Sequence, residues 1–183
     1  MLIFTKILTA SLLAAVSLSG GPGDPLKIKP VQTMAGGDSN VHFPMVRTIT
    51  NDKMWKELWA MHKGLPITNA ATEKTATPDP TKLPTVDFDK NQVLVVFGGK
   101  LPDVQAYEYA KTYDKDGVAV VQLNQNFIPA STAKSTFYPF ILMVVPKEPV
   151  RIRIELDSIA KDGSHFWMQI ASFPVLKETK PSG

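Results

Sequence analysis

The sequence contains no cysteine. That absence excludes disulfides, thiolate metal sites and a cysteine nucleophile. Histidine is scarce, with only His42, His62 and His165, and nothing in their spacing marks a metal ligand set or a catalytic triad. Neither a G-x-S-x-G nucleophile elbow nor a G-x-x-x-x-G-K-[ST] phosphate loop occurs; Gly98-Gly99-Lys100 follows an apolar run, but no helical segment comes after it. Charge of one sign is weak too, at 20 basic against 17 acidic residues, and the lysines are spread along the chain. A solvated surface explains them, and nucleic acid is not an expected partner. No uninterrupted apolar run approaches the about 20 residues that a membrane-spanning helix needs.

What is present is enough for one domain with tails: 183 residues, 44% of them apolar. Lys6 is followed by the apolar run Ile7 to Leu18 and then by Ser19-Gly20-Gly21-Pro22-Gly23. Residues 1–19 therefore read as a secretory signal peptide, cleaved before Gly20, and the protein as exported: periplasmic, held in the cell envelope, or secreted. Leu18-Ser19-Gly20 resembles the start of a lipoprotein signal, yet Gly21 stands where the lipid-bearing cysteine would be, so no lipid anchor is expected. An ordinary cleavable signal and a lipoprotein signal that has lost its cysteine both fit. Residues 20–40 hold five glycines and three prolines with little periodicity and read as a flexible tether, and residues 176–183 as a disordered tail.

The domain proper is expected over residues 41–175. Asn51 to Gly64 predicts its one helix: Met54, Trp55, Leu58 and Trp59 form a single apolar stripe, Thr50 or Asn51 supplies the N-cap, and Gly64 followed by Pro66 supplies the stop. Trp55 and Trp59 should be buried against the apolar run Gln92 to Phe97, a strand covered on both faces. Around it, strands are expected at Val41 to Ile49, at an edge because of Pro44, and at Val104 to Tyr113, Val118 to Leu123, Phe137 to Val145, Val150 to Leu156 and His165 to Phe173. Asp114 to Gly117 and Asp162-Gly163 are their turns. The sum is an α+β domain, a mainly antiparallel sheet of six or seven strands with one amphipathic helix packed on it. Residues 64–85, rich in Thr, Ala and Pro, read as an inserted loop.

Chemistry-bearing residues are few. Asp87-Phe88-Asp89-Lys90-Asn91 begins like a calcium loop, but Gln92 replaces the turn glycine and Gly98 the closing glutamate, so a polar lead into a strand is the better reading. His62 sits at the helix C-terminus, where the dipole favours a partly protonated ring. Tyr107, Tyr109 and Tyr113 share one strand face at period two, either as a stacking surface or as half-buried sheet aromatics. No catalytic residue, metal or cofactor is expected.

Trp55-x-x-Leu58-Trp59-x-x-His62, then Pro84-x-Val86-Asp87-Phe88 leading into Val93-Leu94-Val95-Val96-Phe97-x-Gly99, then the tyrosine strand and Val145-Pro146-Lys147, resemble the PrcB C-terminal domain family over roughly residues 45–157. Its members are small exported domains, named for a lipoprotein accessory subunit of a bacterial surface protease complex. Where the family commonly has P-T-G-G-Y, this chain has Pro102-Asp103-Val104-Gln105-Ala106-Tyr107 and lacks the paired glycines. The resemblance implies a non-enzymatic domain that binds another protein, a protease or its assembly, with Lys100, Pro102, Tyr107 and Tyr109 as the expected contact residues. An envelope hydrolase, or a small-ligand binder with a pocket between helix and sheet, is the alternative. Nothing in the sequence sets an oligomeric state.

Overall fold

The computed structural model describes residues 28–65, 83–128 and 136–175. The expected signal peptide, the first part of the expected tether, most of the expected loop insertion and the expected tail lie outside the described residues.

The helix α1, Asp52–Lys63, forms where its stripe predicts. Asn51 Oδ1 accepts from the Met54 N–H at 2.9 Å, satisfying an otherwise orphaned donor of the first turn. Gly64 ends the helix at φ 67°, a left-handed conformation that glycine adopts without a Cβ penalty.

The described residues also form eight strands: β1 Gln32–Gly36, β2 Pro44–Ile49, β3 Asn91–Gly98, β4 Val104–Lys115, β5 Val118–Phe127, β6 Phe140–Pro146, β7 Arg151–Ile159 and β8 His165–Phe173. They make two four-stranded sheets, ordered β1-β6-β3-β2 and β4-β5-β7-β8, not the single sheet of six or seven strands that the sequence suggests. All pairings are antiparallel except β5 with β7. That exception follows from the chain path, because β6 leaves for the first sheet between them and the chain returns running the same way.

The layers are helix, first sheet, second sheet. Val93, Val95 and Phe97 of β3, with Phe140, Leu142 and Val144 of β6, face α1 and cluster with Trp55, Leu58 and Trp59. Leu94 and Val96, with Ile141, Met143 and Val145, face the other way and meet Val121, Leu123, Ile152, Ile154 and Leu156 of the second sheet. A strand covered on both sides has no wet face to mark with polar residues, which is why β3 and β6 read as unbroken apolar runs. Trp55 is 1% exposed and Trp59 8%, so both lie inside as expected.

Residues 28–40, expected as part of a tether, are built into the domain. Ile28 is fully buried between the sheets, and β1 pairs with β6 from Gln32↔Val144 to Gly36↔Phe140. Gly37 belongs to this packing, since a Cβ there would collide with the Gln105 carbonyl of β4. Close backbone approach, not flexibility, is what this glycine serves. The tyrosines do not share one face. Bulges at Gln105 and Ala110 shift the β4–β5 register, so that Tyr107 and Tyr109 pack toward the core between the sheets while Tyr113 pairs with Val120 on the outer face.

Candidate functional site

Many of the residues behind the family resemblance gather in the layer beneath α1, while Leu94, Val96, Val145 and Tyr107 face the core between the sheets. Trp55 Nε1 donates to the Pro84 carbonyl at 2.8 Å, Val86 and Phe88 close over the same apolar cluster, and the Lys147 ammonium donates to the Phe88 carbonyl. The backbone N–H of Lys147 also donates to the Lys90 carbonyl at 2.8 Å. Together these contacts clasp the 84–90 segment between α1 and the end of β6. Packing accounts for each of them without a partner.

His62 belongs to this layer as well, and not as a half-charged cap. It is 2% exposed, with ring centroids 4.3 Å from Phe140 and 5.3 Å from Trp59. Burial, reinforced by the charge of Lys63, lowers its pKa to about 4, so the ring is neutral at pH 7. Its Nδ1 lies 3.0 Å from Ser39 Oγ, which accepts from the Val41 N–H at 3.1 Å. A hydroxyl oxygen can accept twice, so the tautomer of His62 sets which of the two groups donates. Ser39 is 3% exposed, which keeps the Ser–His contact away from any substrate. Desolvation outweighs the helix dipole here because the last turn of α1 faces inward.

Asp87 is likewise engaged locally. Its Oδ1 accepts from the Asp89 N–H at 3.1 Å and its Oδ2 lies 3.4 Å from Lys90 Nζ, and these donors hold its carboxyl below the ordinary range. Among the described residues, no group of three or more His, Cys, Asp or Glu side chains is gathered as a metal would require. One apolar cleft of about 160 Å³ opens where the two sheets approach each other, lined by Thr48, Thr50, Gln92, Val150, Ile152 and Phe173. That lining offers no acid, base or nucleophile activated by one.

The expected contact residues differ in exposure. Lys100 and Pro102 are exposed on the connection between β3 and β4. Tyr107 is 4% exposed in the core between the sheets, and burial pushes its phenol up to about 12. Tyr109 is half-buried and donates to Thr112 Oγ1 at 3.2 Å. Tyr107 is therefore a packing residue and has no surface to offer.

A different surface stands out when the four sheet edges are compared. An edge strand presents unpaired backbone groups, and stable proteins guard it with charge, proline, bulges, shortness or cover. β1 is short and lies close against β4. β2 begins at Pro44 and carries Arg47. β4 has its two bulges and the charged residues Glu108, Lys111, Asp114 and Lys115. β8 reads His-Phe-Trp-Met-Gln-Ile-Ala-Ser-Phe, with no Lys, Arg, Asp, Glu or Pro. Its bulge falls late, at Ile170, and leaves His165–Gln169 in regular pairing with β7.

Among the described residues, that regular stretch is exposed on both faces. Phe166, Trp167 and Met168 are 46%, 42% and 43% exposed. Only the later residues Ile170, Ala171 and Phe173 pack on the core between the sheets. Leu156 pairs with Met168 and Ser158 with Phe166 on the inner face, while Asp157 pairs with Trp167 on the outer one. Asp157 also holds His165 through Nδ1, at 3.0 and 2.9 Å to its two oxygens. Further along the outer face, Gln122 Nε2 donates to Glu155 Oε2 at 2.8 Å beside Tyr113, whose pKa is raised by burial and then by the Glu155 charge. A polar sheet face thus ends in an apolar, unguarded edge.

Comparisons with protein-family models, with curated proteins and with solved structures find no match to this chain. The β8 edge was legible only in part. Its strand is evident in the sequence, but its place at an edge, beyond the cover of the first sheet, is not.

Proposed function

We propose that this is an exported, non-enzymatic domain that binds another protein chain by strand addition at the edge of β8. The observation that carries the reading is the stretch Phe166-Trp167-Met168, exposed on an edge strand without a charged residue or a proline. Backbone groups of the free edge supply affinity in such a mode, and alternating side chains supply selectivity. Tryptophan, phenylalanine and methionine are residues that interface cores favour. The resemblance to PrcB C-terminal domains supports an accessory or assembly role beside an envelope protease. Its motif residues brace the helix, which leaves the opposite side of the molecule for contact.

The test is retention of a protein from the chain's own envelope fraction by the wild type, by Met168→Lys and by Arg47→Ala. Loss with Met168→Lys alone is the expected outcome. Equal retention by all three would remove β8 as the edge that holds an envelope protein.

A further inference from the structure

We infer that the chain added at β8 is a second copy of the same strand, in antiparallel register about a two-fold axis at Trp167. This rests on the reading of β8 as a docking edge and names its occupant. The axis of a two-fold pair joined edge to edge in one continuous sheet stands perpendicular to that sheet. Outer residues then face outer residues, and inner face inner, so the axis must pass through a residue and not between two. The regular stretch His165–Gln169, bounded by the turn before it and the Ile170 bulge after it, has Trp167 at its centre.

Centred there, the pairing sets Trp167 beside its copy on the outer face and Phe166 beside Met168 of the other copy, twice, on the inner face. His165 falls opposite Gln169. Each of the three large apolar side chains exposed on β8 finds an apolar neighbour, as aromatic and methionine pairs across strands prefer. No like charges meet, because the strand carries no Lys, Arg, Asp or Glu, and Asp157 already holds the neighbouring His165 on its own chain. A foreign segment docking here would need large apolar side chains on both faces at successive positions. β8 already has that pattern.

The absence of cysteine makes the register directly readable. Cα atoms of directly opposed antiparallel residues lie about 4.5–5.5 Å apart, within the span a disulfide bridges. In the full chain, Trp167→Cys is expected to form a covalent dimer under mild oxidation. Phe166→Cys and Met168→Cys should each remain uncrosslinked alone and crosslink when mixed. Sedimentation equilibrium of the unmodified chain should give twice the monomer mass, and Trp167→Lys, with an unchanged circular dichroism spectrum, should give the monomer mass.

A wild-type chain that stays monomeric as concentration rises would overturn the inference, as would a Trp167→Cys chain that does not crosslink. Crosslinking of Phe166→Cys alone would overturn the register. A monomer that nonetheless loses an envelope protein on Met168→Lys leaves the docking edge standing with a different occupant.

Discussion

Tryptophan appears in two settings in this protein, and the contrast separates what holds it together from what it offers outward. Trp55 and Trp59 lie on a helix face turned into a closed layer, where Trp55 is hydrogen-bonded to Pro84 and almost no surface remains. Trp167 lies on an edge strand rich in apolar residues, yet it is 42% exposed because it points to the outer face of the second sheet, the face turned away from the first sheet. The same residue type stabilises the fold in the first setting and is free for association in the second. Burial decides between these roles.

The sharpest way to break this contrast is to truncate one tryptophan from each side. Trp55→Ala should cost about 3–5 kcal/mol, a large fraction of a small domain's stability, through lost burial and an orphaned Pro84 carbonyl. Urea denaturation measures it, and a loss below about 1 kcal/mol would show that the helix layer is not the brace described here.

A second test uses the ring buried beside those tryptophans. His62 has a folded pKa of about 4 against 6.5 unfolded, so between these values the unfolded chain binds the extra proton. Stability from this group is complete above pH 6.5 and is lost as pH falls toward 4, by about 3 kcal/mol in all. His62→Phe should flatten that part of the pH profile. If the wild-type and variant profiles run parallel from pH 7 to 4, the ring is not held neutral.

Smaller effects are expected at the helix start and smallest at the outer edge. Asn51→Ala should cost about 1 kcal/mol through the lost N-cap, seen as a modest fall in the denaturation midpoint. Trp167→Ala, measured at a concentration low enough to separate any pair, should change stability by no more than about 0.5 kcal/mol. A cost near that of Trp55→Ala would mean that Trp167 packs within its own chain.

Local pattern carried much of the fold. The stripe of Met54, Trp55, Leu58 and Trp59 and the signals at Asn51 and Gly64 define a helix because 3.6-residue periodicity and capping act over neighbouring residues. β3 is legible as a doubly covered strand because a strand apolar throughout has no wet face, and β6 as an apolar strand. β1 was missed: Gln-Thr-Met-Ala-Gly is short, has no alternation and sits among glycines, so its structure comes from β6, more than 100 positions away. The tyrosine face failed for a related reason. A bulge reverses the two-residue alternation, and Ala110 gives no sequence sign of one.

The sequence by itself determined the helix, seven of the eight strands, the β4–β5 and β7–β8 turns, and the exclusion of cysteine chemistry. These depend on residue type and on contacts between neighbours. Tertiary structure alone decided the division into two sheets, the neutral state of His62, the burial of Tyr107 and the exposure of β8. Each of these depends on which distant segment arrives to cover a face or leaves it bare. Phe166-Trp167-Met168 would read as core in any strand. Phe166 and Met168 become surface because the first sheet covers the end of β8 and not its beginning, and Trp167 because it lies on the outer face.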